Sequence, residues 1–109
     1  MATTYKVLAQ SNPSATTATS LYTVPSATST VVSTITVCNQ ASTAATYRIA
    51  IRPAAATLAA QHYVAYDVAI AANDTTALTL GITLATTDVV TVYASAATLS
   101  FSAFGSEIS

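Results

Sequence analysis

The chain has 109 residues, enough for one domain that buries roughly two thirds of the surface its unfolded form exposes. Only 6% of its residues are charged, against about 25% in an ordinary soluble domain, and its net charge is -1. Three cations cannot make the basic footprint that phosphate recognition needs, so nucleic acid is excluded as an expected partner.

Lys6, Arg48 and Arg52 stand against Asp67, Asp74, Asp88 and Glu107, and nothing else is permanently charged. A net charge near zero leaves little self-repulsion between copies. Ala, Thr and Ser make up about half the chain, so its surface is small hydroxyls and methyls. Such a surface packs against another at low desolvation and side-chain entropy cost, which points to a subunit of an assembly. The single cysteine, Cys38, excludes an internal disulfide and fits synthesis in a reducing cytoplasm. The opening residues MATTYKVLAQSNP lack the charged and apolar regions of a secretory leader. The apolar window 54–60 is too short to span a bilayer and is broken by Thr57, so no membrane contact is expected.

Taken in order, residues 5–9 read as a short strand ended by the Ser11-Asn12-Pro13 turn signal. A Ser/Thr/Ala loop follows, then a short strand over 21–24 that Pro25 limits. Residues 29–38 form a longer strand rich in Val, Ile and Thr. Its positions Val31, Ile35 and Val37 are expected on one face and Thr34, Thr36 and Cys38 on the other. In the strand 45–52, Tyr47, Ile49 and Ile51 share one face while Arg48, Ala50 and Arg52 share the other. Residues 54–61 read as a loop with one helical turn. Strand 62–70 places Val64, Tyr66, Val68 and Ile70 on one face and Tyr63, Ala65 and Asp67 on the other. Residues 73–93 carry the strongest pattern: Leu78, Leu80, Ile82 and Leu84 alternate with Ala77, Thr79, Gly81 and Thr83. With turn residues before and after it, this stretch predicts a β-hairpin with one buried face, and Gly81 predicts a bulge, with the close approach of a neighbour as the alternative. A last strand covers 98–104. About eight strands at spacings near ten residues predict a single all-β domain over 1–109, an antiparallel β-sandwich of jelly-roll or immunoglobulin-like order.

The chemistry-bearing residues are sparse. One His, one Cys and four scattered carboxylates do not make a metal site, and no catalytic residue, cofactor or metal is expected. Cys38 and His62 have no signature of a nucleophile pair, and Asp74 and Asp88 sit where turns want Asp for backbone reasons. Binding is the better reading. Tyr63 points with Asp67 away from the aliphatic face, and Arg48 and Arg52 also point outward. Tyr63, Asp67, Arg48 and Arg52 are therefore the interface candidates, with either arginine expected to pair with Asp67 on a neighbouring strand or another subunit. Tyr47 and Tyr66 are expected in the core.

The runs STITVCN, RIAIRP, AANDT, LGITL and DVVTVY, with the terminus LSFSAFGSE, resemble a family of small virion structural proteins of tailed bacteriophages, notably phages of cyanobacteria. The resemblance covers nearly the whole chain and rests on strands and turns. It implies a non-enzymatic component of the virion: a capsid decoration (cement) protein, or a tail, neck or baseplate module. A host-glycan-binding sandwich is a further alternative. The implied partners are other copies of this chain, with a trimer the expected count, and the major capsid protein or another virion protein. Residues 1–4 and 105–109 are the candidate arms toward a neighbour.

Overall fold

In the computed structural model, which describes residues 2–109, nine strands make two antiparallel sheets. The strands are β1 (Thr3–Ser11), β2 (Thr19–Thr23), β3 (Ser29–Asn39), β4 (Ala45–Arg52), β5 (Tyr63–Ile70), β6 (Thr75–Leu78), β7 (Ile82–Leu84), β8 (Val89–Ala94) and β9 (Leu99–Ile108). Two 3-10 turns, Pro53–Ala55 and Ala60–His62, fall in the connection from β4 to β5. The first sheet runs β1-β9-β3-β6, with β7 also on β3; the second runs β2-β8-β4-β5.

The pairings are nested. β1 pairs with β9, β2 with β8, β3 with β6 and β7, and β4 with β5. The contacts β3·β9 and β4·β8 then complete the two sheets. This is a jelly roll, and it decides the strand order that alternation alone leaves open. Since β6 and β7 are two pieces of one edge strand, the eight-strand expectation matches the architecture. Between the sheets lie Val32, Ile35 and Val37 from β3, Tyr47 and Ile49 from β4, Val90 and Val92 from β8, and Leu99 and Phe101 from β9. Tyr47 meets Phe101 edge to face, with ring centroids 6.3 Å apart.

Two face assignments and one connection differ from the sequence pattern, the faces because a bulge changes the parity of a strand. On β3, Val32 pairs with Gly105 and Thr34 with Phe104, leaving Ser33 as an extra residue. Thr30 and Val32 therefore face inward before the bulge and Ile35 and Val37 after it, while Val31 turns out. On β5, Tyr47 pairs with Val68, Ile49 with Ala65 and Ala50 with Tyr63, so β5 carries an extra residue twice. Val64 and Tyr66, expected inside, are exposed, and Ala65 packs on the core instead. Val68, opposite the buried Tyr47, keeps its face but is 38% exposed on the edge strand, and Ile70 is buried as expected.

The third difference concerns residues 73–93, which are not a hairpin. Thr75–Leu78 and Ile82–Leu84 both pair with β3, and Val89–Ala94 lies in the other sheet between β2 and β4. The Ala85–Thr87 turn crosses between sheets instead of reversing within one. The edge runs four residues from Leu78 to Ile82 while β3 runs three from Val32 to Ile35, which is the bulge predicted at Gly81. Gly81 has φ +63, and Leu80 beside it is 45% exposed. The residues expected as terminal arms are also placed differently. Thr3 and Thr4 pair with Ile108 and Glu107, and Ala2 exchanges two backbone hydrogen bonds with Ser109, so these ends pair with each other. Met1 lies outside the described residues.

Candidate functional site

After β4, residues 53–62 fold back across the outer face of the second sheet. Arg52 Nη1 donates to the Ala56 carbonyl at 3.1 Å and Arg52 Nε to Thr91 Oγ1 at 3.0 Å. The Ala54 N–H donates to Asp88 Oδ1 at 2.9 Å, and the Ala85 N–H donates to Asp88 Oδ2 at 2.9 Å. His62 is buried, and its Nδ1 accepts the Ala59 N–H at 3.0 Å. Beneath this cover the outward-facing Ala50 and Thr91 are buried. Arg52 and Asp88 thus hold the segment down.

Where the cover ends, an aromatic and charged cluster begins. The Arg48 guanidinium lies 4.2 Å from the Tyr66 ring centroid and 4.3 Å from that of Tyr93. Arg48 Nε donates to Asp67 Oδ1 at 2.6 Å and Nη2 to Oδ2 at 3.3 Å. Tyr63 meets Tyr66 edge to face, with centroids 4.9 Å apart and planes at 86°. Tyr63 and Tyr66, with Leu58, Ala59 and Ala60, line an open depression of about 540 Å³. The bulge places the cluster: Asp67 has φ +50, a left-handed conformation that Asp tolerates, and this aims its carboxylate at Arg48 across the strand. Hydrogen bonding from Arg48 holds the Asp67 carboxyl below its usual range and raises the guanidinium in turn.

Of the four candidate residues, Arg48, Asp67 and Tyr63 come together, whereas Arg52 is committed to Thr91 and Ala56 within the chain. The alternation missed Tyr66, because the β5 bulges reverse its face. Tyr93 was readable: Val89, Thr91 and Tyr93 alternate with the inward Val90 and Val92 on β8. Chemically, the cluster can stack, donate from the unused guanidinium N–H groups and accept on the carboxylate. Cys38 sits on the first sheet and His62 at the edge of the second, and no three of His, Cys, Asp and Glu converge among the described residues. No protein-family model, curated protein or solved structure matches this chain.

Proposed function

We propose that this chain is a non-enzymatic structural subunit of a bacteriophage virion, a capsid decoration (cement) protein that docks on the outer shell and ties major capsid subunits together. One observation carries the reading: Arg48 is clamped between Tyr66 and Tyr93 and pinned by Asp67 while Tyr66 itself is 57% exposed. Tyr and Arg are the residues in which binding energy concentrates at protein interfaces, and a side chain already held in place loses little entropy on docking. The depression beside them would receive one apolar anchor of the shell protein. The sequence resemblance to virion structural proteins supports the same reading. Jelly rolls build viral capsid domains and lectins alike, so the weight rests on the surface and not on the fold.

Two measurements test this. Copy number per purified particle should approach that of the major shell protein; a handful of copies would move the chain to the tail, neck or baseplate. Particles stripped of the protein should then rebind it, and Tyr66→Ala or Arg48→Ala should abolish rebinding with the fold intact. If both variants rebind as wild type, docking through this cluster is wrong. If they rebind yet lose adsorption to host cells, the cluster reads a host glycan instead.

A further inference from the structure

The opposite face of the molecule has a different chemistry. On the outside of the first sheet the middle row reads Gln10, Ser102, Thr36, Ala77 across the strands, and the next reads Val7, Phe104, Thr34. No outward position of this face is Lys, Arg, Asp, Glu or His. Lys6 and Glu107 belong to the same strands but point to the inner side: Lys6 Nζ pairs with Glu107 at 3.1 Å, and Glu107 also accepts from the inward-facing Tyr22 hydroxyl. Among the described residues no loop segment covers this face as residues 53–62 cover the other, and Tyr5 is 84% and Val7 50% exposed on it.

We infer that this uncharged face is where a second copy of the chain packs, sheet against sheet. The inference is independent of the shell-docking cluster, which lies on the other sheet. Area supports it. Four strands at ~4.8 Å spacing and about nine residues at ~3.4 Å make a face of roughly 600 Å². Two copies would bury about 1,200 Å² in total, the lower bound for a specific interface. Chemistry supports it as well. A partner of different composition would meet this face with its own charges unpaired, whereas a second copy presents the same hydroxyls, methyls and aromatic rings and strands no charge. Facing sheets of small side chains interdigitate at about 10 Å, and one surface meeting itself closes about a two-fold axis. The unit is therefore a dimer, not the trimer expected from cyclic shell-binding modules.

Analytical ultracentrifugation of the purified chain tests this, with Thr36→Arg and Ser102→Arg combined to place like charges at the centre of the face. Wild type should sediment as a dimer at tens of micromolar. The double variant should raise the dissociation constant by at least about tenfold, because opposed like charges are strongly disfavoured at an interface. Its circular dichroism and Tm should match those of the wild-type monomer, and mixing it with Thr36→Glu/Ser102→Glu should restore a dimer. A wild type that stays monomeric, or a double-arginine chain that still dimerises, would overturn the inference and leave the shell-docking reading standing. A dimer lost in Tyr66→Ala but kept in the arginine variant would reassign self-association to the other sheet and overturn both.

Discussion

Arg48 on β4 and Asp67 on β5 are joined by two hydrogen bonds, 2.6 and 3.3 Å, at the point where β5 carries an extra residue. The backbone irregularity and the ion pair are one feature, because a regular β5 would aim residue 67 elsewhere. Asn suits the left-handed conformation of Asp67 and Val does not. Asp67→Asn should therefore keep the fold while loosening Arg48 between its two rings, seen as a lower heteronuclear NOE at Arg48 Nε. Asp67→Val should lower Tm well beyond Asp67→Asn. Equal effects of the two substitutions would mean that the conformation at residue 67 is not what positions the cluster.

The two glycines predict opposite kinds of damage. A Cβ on Gly105 would lie 1.9 Å from the Val31 carbonyl oxygen, where β3 bulges against β9. Backbone cannot step aside cheaply, so Gly105→Ala should cost roughly 2 kcal/mol or more in urea unfolding. Gly81 has open space around its Cα, and its φ of +63 is the only objection to a side chain. Gly81→Ala should cost about 1 kcal/mol and Gly81→Asn less, since Asn visits this region readily. A Gly105→Ala chain as stable as wild type would disprove the close approach.

The sandwich was legible because most strands bury one face and alternate cleanly: Tyr47 and Ile49 inside, Arg48 outside. The turns were legible too. Asn12 donates to the Ala97 and Leu99 carbonyls, and Asn39 to those of Thr43 and Ala71. What failed was parity. A bulge inserts one residue without changing composition, so Val31 and Tyr66 were assigned the wrong face. The supposed hairpin failed for a related reason. Four turn-forming residues look alike whether they reverse a strand within one sheet or carry it across to the other. The Arg48–Asp67 pair was legible across neighbouring strands, but with the β5 bulges unread Tyr66 was placed in the core and could not be joined to it.

The Tyr47 hydroxyl is buried with no hydrogen-bond partner, and burial pushes its pKa up. A buried hydroxyl without a partner is destabilising, so its removal should help while removal of the ring should hurt. Tyr47→Phe should raise stability by about 1 kcal/mol, and Tyr47→Ala should lower it by about 3–5 kcal/mol through the cavity it leaves. Chemical denaturation measures both. A loss of stability in Tyr47→Phe would reveal a bound water at that hydroxyl.

The closed end of the sandwich should respond to pH from both sides. Tyr22 reaches from the second sheet to hydrogen-bond Thr30 Oγ1 at 2.9 Å and Glu107 on the first, and Lys6 pairs with the same carboxylate. The Tyr22 hydroxyl, then Lys6, hold the Glu107 carboxyl below its usual range. Its contribution is therefore complete above the unfolded value near 4.3 and is lost as pH falls through the lower folded value. Burial first, and the bond to Glu107 second, push Tyr22 up to about 12 from its ordinary 10.0. That contribution is complete below pH 10 and is lost as pH rises toward 12. Tm measured from acid to alkali should thus fall at both ends. Glu107→Gln should flatten the acid limb, to which Asp67 also contributes, and Tyr22→Phe should flatten the alkaline one. A Glu107→Gln chain whose acid limb is as steep as wild type would show that the Tyr22–Glu107 bond does not couple the two sheets.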